Sequence, residues 1–102
     1  MEWFCAVWNS DKAGSAATGE YIYELLCQGD TSMVSDFVVV EEFYQELIMK
    51  APETIAQKLP GAVIISCDFS RGEYINDLVQ ELAKKHGLSF YEPQNMTYIG
   101  VF

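Results

Sequence analysis

Three residues of this sequence could together perform nucleophilic chemistry: Cys67, Asp68 and His86. Cys67 and Asp68 end a predicted strand at residues 61–69, a position where open α/β sheets often place a site. A thiol becomes a strong nucleophile when a base activates it, but the only histidine is predicted to end a helix beside two lysines. We therefore expect a core cysteine with an exposed aspartate, and a histidine that caps a helix or faces solvent. A small cytoplasmic enzyme that uses these three residues is the alternative interpretation.

The three cysteines, Cys5, Cys27 and Cys67, are widely spaced and include no CxxC pair. Their odd number and apolar neighbours predict buried, reduced thiols in a cytoplasmic protein. A structural zinc site needs four ligands, and a single histidine with scattered cysteines does not match the usual ligand spacing. No glycine-rich phosphate-binding motif occurs either. We therefore expect no metal and no cofactor.

Length and composition narrow the class of protein. Apolar residues make up 50% of the 102 residues, which is enough for the core of one domain. No apolar run approaches the roughly 18 residues of a membrane span, and the first residues lack the basic region of a signal peptide. The expectation is a cytoplasmic protein with no membrane contact.

Negative charge is concentrated in the first half of the chain. Residues 1–49 hold nine acidic residues and one basic residue, whereas residues 50–102 hold six acidic and five basic residues. The net charge of −9 argues against nucleic-acid binding and favours a basic protein partner, although a merely solvated acidic face is the plainer alternative. The candidate partner-binding residues are acidic side chains with one interleaved aromatic: Glu20, Tyr23, Glu24, Asp36, Glu41, Glu42 and Glu46.

Apolar periodicity predicts a single α+β domain over residues 1–102. The predicted elements, in the order β-α-α-β-α-β-β, are a strand at 2–8, helices at 16–28 and 37–50, a strand at 61–69, a helix ending at 86, and strands at 88–92 and 97–102. We expect a mixed four-stranded sheet with helices mostly on one face. The strands on either side of the third helix should be parallel, and the last two strands should form an antiparallel hairpin.

Local signals at helix ends refine these boundaries. Ser70 and Glu73 match a capping box, which predicts the start of the third helix. Gly29 and Gly87 follow the first and third helices, where a left-handed conformation is favoured. Between the second helix and the next strand, residues 53–60 are expected to form one more turn.

Several short blocks occur in a characteristic order. They are the strand ending Val7-Trp8, the FYQEL block at 43–47 before a proline, and Lys85-His86-Gly87-Leu88 followed by Tyr91-Glu92-Pro93-Gln94. This order resembles small, largely uncharacterised bacterial proteins that are encoded beside polymorphic secreted toxins and are commonly taken to be immunity proteins. The resemblance implies a cytoplasmic protein that binds and blocks a cognate toxin domain, and it supplies no catalytic residues.

A third hypothesis is a nucleic-acid mimic, whose carboxylates imitate phosphates. The sequence leaves open the identity of the toxin and the oligomeric state. It also leaves open whether the acidic helical face or an open face of the sheet contacts the partner.

Overall fold

The described residues form three α-helices and five strands. The computed structural model describes residues 2–9, 16–35 and 38–100. The elements are β1 (Glu2–Trp8), α1 (Ala16–Cys27), α2 (Val38–Lys50), β2 (Ile55–Leu59), β3 (Ala62–Asp68), a 3₁₀ turn (Phe69–Arg71), α3 (Gly72–His86), β4 (Ser89–Glu92) and β5 (Thr97–Ile99). The predicted α+β class is confirmed.

The sheet is antiparallel throughout, in the order β2-β3-β1-β4-β5. The expected mixed, four-stranded sheet is therefore wrong in strand number and in pairing. β3 and β4 do run in the same direction, because both are antiparallel to β1. They are not neighbours, since β1 lies between them, and α3 crosses over it. The last two strands form the expected antiparallel hairpin.

The fifth strand, β2, lies where a helical turn was predicted. It pairs with β3 from Ile55 opposite Ser66 to Leu59 opposite Ala62. Pro60 and Gly61 form the connecting turn, and Gly61 has a φ of +90°, which favours glycine. Ile55 is 67% exposed, because β2 is an edge strand. The Pro-Gly pair was the available signal for this hairpin.

The helices lie on both faces of the sheet, two on one face and one on the other. Successive residues of a strand point to opposite faces, so Trp3, Cys5 and Val7 of β1 pack toward α2 and α3. Ala6 and Trp8 pack toward α1 instead. β1 is thus a central strand with apolar side chains packed on both faces, although Glu2 and Phe4 at its start are exposed on the α1 side.

The start of α3 differs from the predicted capping box. The helix begins at Gly72, Arg71 occupies the N-cap position, and no side chain caps the first turn. The Ser70 hydroxyl instead donates to the Asp68 carboxylate. At the other end, Gly87 has a φ of +70° and its N–H bonds to the last turn, as predicted. Gly29 after α1 is also left-handed, with a φ of +81°.

Candidate functional site

The predicted partner-binding residues lie on opposite sides of the sheet. Glu20, Tyr23 and Glu24 belong to α1, whereas Glu41, Glu42 and Glu46 belong to α2. Because α1 packs on one face and α2 on the other, these residues do not form one continuous surface. Asp36, the remaining candidate, lies outside the described residues.

Glu46 is bound within the chain. Its carboxylate lies 2.8 Å from Nε2 of His86, 2.9 Å from Nζ of Lys85 and 3.0 Å from Nζ of Lys50. These hydrogen bonds, that from Lys85 first, lower the pKa of Glu46 from 4.5 to about 2. The side chain is 14% exposed. Glu46 therefore joins α2 to the end of α3 and offers little charge to a partner.

The rest of the α2 surface is partly neutralised. Glu41 lies 3.6 Å from the Lys58 ammonium of β2, and it accepts a hydrogen bond from Gln45. Glu42 is exposed, as is Met49 about two turns farther along. These residues line an open depression of about 690 Å³.

The carboxylates of α1 are different. Glu20 and Glu24 are exposed, and among the residues that the structure describes no basic side chain forms an ion pair with either. Burial, followed by the nearby charges of Glu20 and Glu24, raises the pKa of Tyr91. Tyr23 is half-buried, with its ring centroid 5.5 Å from that of Tyr91. The Tyr23 side chain thus packs against Tyr91 on one side and is only partly available at the surface.

Two more carboxylates lie on the α1 side of the sheet, at the end that α1 does not cover. Glu2 of β1 is directly opposite Asp68 of β3, and both are exposed. In the next row, Phe4 is opposite Ser66, which is opposite Ile55 of β2. Phe4 is 37% and Ile55 67% exposed, whereas Ser66 between them is buried, so two exposed apolar side chains lie beside the two acids.

The structure does not bring the nucleophilic candidates together. Cys67 is buried at the end of β3, and burial raises the pKa of its thiol, the reverse of what a nucleophile needs. Asp68 is exposed beside it. His86 ends the 15-residue α3, about 21 Å along the helix axis from the helix start. The histidine is neither solvent-exposed nor near the thiol, because it packs between Glu46 and the edge of Phe43.

The other two cysteines divide between core and surface. Cys5 is buried and burial raises its pKa strongly, whereas Cys27 of α1 is exposed, which corrects the expectation of three buried thiols. All three cysteines are free. Within the described ranges, no three His, Cys, Asp or Glu side chains are arranged to hold a metal ion. Nor is any helix there both long and apolar enough to cross a membrane.

A buried polar network was missed by the sequence analysis. Glu92 is 3% exposed, and its carboxylate accepts hydrogen bonds from the Gln94 amide and from the backbone and side chain of Asn95. Gln94 also bonds to both the N–H and the C=O of Phe4. The Gln94 side chain therefore takes the place of a paired strand at Phe4 of β1, beyond the end of β4. The sequence showed only a turn at 93–96, because the partner of Gln94 is 90 residues away.

No protein-family model, curated protein or solved structure matches this chain. Its function is therefore inferred from its own residues.

Proposed function

We propose that this chain is a non-enzymatic protein-binding module of the immunity type, which inhibits a basic toxin domain in the bacterial cytoplasm by covering it. One observation supports this most. The α1 side carries the exposed carboxylates Glu2, Glu20, Glu24 and Asp68, and no basic residue in the described part of the chain pairs with them.

The distribution of cations explains why α1 is preferred to α2. Lys50, Lys58 and Lys85 all reach carboxylates of α2. Arg71 pairs with Glu53 in the loop before β2. The bases of the second half of the chain thus fold back mainly onto α2, and the α1 side keeps its negative field.

A negative field of this kind mainly affects the rate at which the two proteins associate. It speeds the approach of a basic surface and disfavours acidic competitors, more than it adds binding free energy. Exposed aromatic groups beside the charge, such as Tyr21 at 54% exposure, suit the centre of a protein interface.

The test is association kinetics with a defined probe, the C-terminal domain of the secreted protein encoded next to this chain. Glu20→Gln/Glu24→Gln should slow association by about threefold or more at low salt and flatten its salt dependence. The matched control is Asp77→Asn/Glu81→Gln, which also removes two exposed acids four residues apart, from α3. Equal effects of the two variants on association would show that the position of the acidic residues does not matter. The negative charge would then be explained by solubility.

A competition measurement with the same probe domain distinguishes a nucleic-acid mimic from an inhibitor that does not imitate phosphates. If duplex DNA displaces this chain from the probe domain, and both bind that domain at the same site, mimicry of phosphates is favoured. Absence of any binding to the neighbouring-gene domain would contradict the immunity-type function itself.

A further inference from the structure

We infer that the uncovered end of the α1-side sheet face is the seat for an apolar segment of the partner protein that also carries a lysine or arginine. This inference rests on the proposed function and deepens it, because it locates the apolar contact that charge alone does not specify. The seat consists of Glu2, Phe4, Ile55, Ser66 and Asp68.

The first argument is the coverage of the sheet. α2 and α3 share one face, whereas on the other face, among the described residues, α1 and the loop after it pack at the Trp8 end. Met33 and Val34 of that loop pack near Leu59 and Ile64. Beyond them, the row from Phe4 to Ile55 crosses three strands, about 10 Å, with both end residues exposed.

The second argument is the pair of like charges at the border of the seat. Glu2 and Asp68 are directly opposite each other on β1 and β3. Like charges in that position destabilise a sheet, although hydrogen bonds from the Ser70 hydroxyl and from backbone N–H groups stabilise the Asp68 carboxylate and lower its pKa. The Ser70 hydroxyl reaches Asp68 but carries no charge. A cation supplied by a partner would relieve the repulsion at both carboxylates.

The third argument concerns the mode of contact. Gln94 occupies the N–H and the C=O of Phe4, so the backbone of β1 cannot accept an added strand at this point. At Phe4, contact is therefore made with the side chain on the face of the sheet. An aliphatic side chain fits over Phe4 and Ile55, and a basic side chain beside it reaches Glu2 and Asp68.

A second copy of this chain is the less suitable occupant. Docking two seats face to face would bring two Glu2–Asp68 pairs together between molecules that each carry a net charge of −9. Such a contact lacks the charge complementarity that selects partners. The occupant is thus a basic segment of a different protein.

The test uses a double variant of the seat, Glu2→Lys/Ile55→Thr, at two exposed positions. Its matched control is Glu81→Lys/Ile99→Thr, because Ile99 is also exposed on an edge strand but lies on the opposite face. The probe is the same neighbouring-gene domain. We expect the seat variant to weaken equilibrium binding about tenfold or more, and the control to stay within about twofold.

A measurement on the wild-type protein makes the test independent of variant folding. With isoleucine methyl groups labelled, the Ile55 methyl resonance should shift on addition of the probe, whereas the Ile99 resonance should not. Binding with no shift at Ile55 and no loss in the seat variant would overturn the seat alone. Absence of any binding would overturn the proposed function and the seat with it. A dimer of this chain that Ile55→Thr abolishes would show that a second copy is the occupant.

Discussion

The Glu46 carboxylate of α2 lies 2.8 Å from the His86 imidazole at the end of α3, although the two residues are 40 positions apart in the chain. The imidazole also meets the edge of the Phe43 ring, with centroids 6.2 Å apart. Lys50 and Lys85 complete the cluster around the carboxylate. One acidic side chain thereby links the two helices, which also share the apolar core, and it pairs charges from the first half of the chain with charges from the second.

Replacing Glu46 with Gln should lower the stability of the fold. The amide keeps the size of the side chain but loses the charge that three basic groups approach. We expect a lower urea midpoint and an unchanged denaturant slope, because the folded shape is retained. Glu42→Gln on the same helix is the control and should change stability by no more than about 0.5 kcal/mol. Equal midpoints for the two variants would show that the cluster contributes nothing.

The same carboxylate predicts how stability depends on pH. The pKa of Glu46 is about 2 in the folded chain against 4.5 without the cluster. Between these values the unfolded chain binds the proton and the folded chain does not, so protonation favours unfolding. The contribution of Glu46 is therefore complete above about pH 4.5 and is lost as the pH falls toward 2.

Unfolding by urea at a series of pH values between 6 and 2.5 measures this effect. Other acids of the chain also titrate there, so the informative quantity is the difference between wild type and Glu46→Gln. The difference should be largest near neutral pH and shrink in acid. A difference that is constant over the whole range would contradict the lowered pKa.

Gly72 is predicted to be required at the start of α3. A β-carbon at this position would lie 2.9 Å from Cγ of Trp3, a buried core residue. Alanine in a helix normally gains about 0.5–1 kcal/mol over glycine. Displacing the tryptophan should cost about 1–3 kcal/mol, so Gly72→Ala should destabilise the protein on balance. A urea midpoint above that of wild type would show that Trp3 can move aside.

Ser70→Ala tests the revised start of the same helix. Because Ser70 does not cap α3, its loss should change the free energy of unfolding by no more than about 0.5 kcal/mol. A loss of about 1 kcal/mol or more in denaturant unfolding is typical of a removed helix cap. That result would show that Ser70 caps α3, as the capping box predicted.

Local patterns were sufficient for most of the fold. The periodicity of apolar residues located all three helices, including α2, whose β-branched run at 38–40 could have formed a strand. The left-handed glycines Gly29 and Gly87 were predicted because helix ends have a local signature. These features depend on neighbours within a few residues, which a sequence displays directly.

Features that depend on distant partners were missed. β2 contains Gln57 and Lys58 and becomes a strand only because β3 offers it an edge. The capping box failed because a 3₁₀ turn at Phe69–Arg71 precedes the helix and moves its start to Gly72. The linear count of charges could not show that lysines of the second half return to Glu46. The acidic candidate site was consequently predicted as one surface, whereas the structure divides it between two faces.

The reactivity of the cysteines follows from their burial. Cys27 is exposed on α1, whereas Cys5 and Cys67 are buried and burial raises the pKa of both thiols. Since the thiolate is the reactive form, the native protein should present one fast thiol to a disulfide reagent at pH 8. In denaturant all three should react. Cys27→Ser should remove the fast phase and leave two thiols that react only on unfolding. A fast-reacting thiol in the folded Cys27→Ser protein would contradict the burial of Cys5 on β1 and of Cys67 on β3.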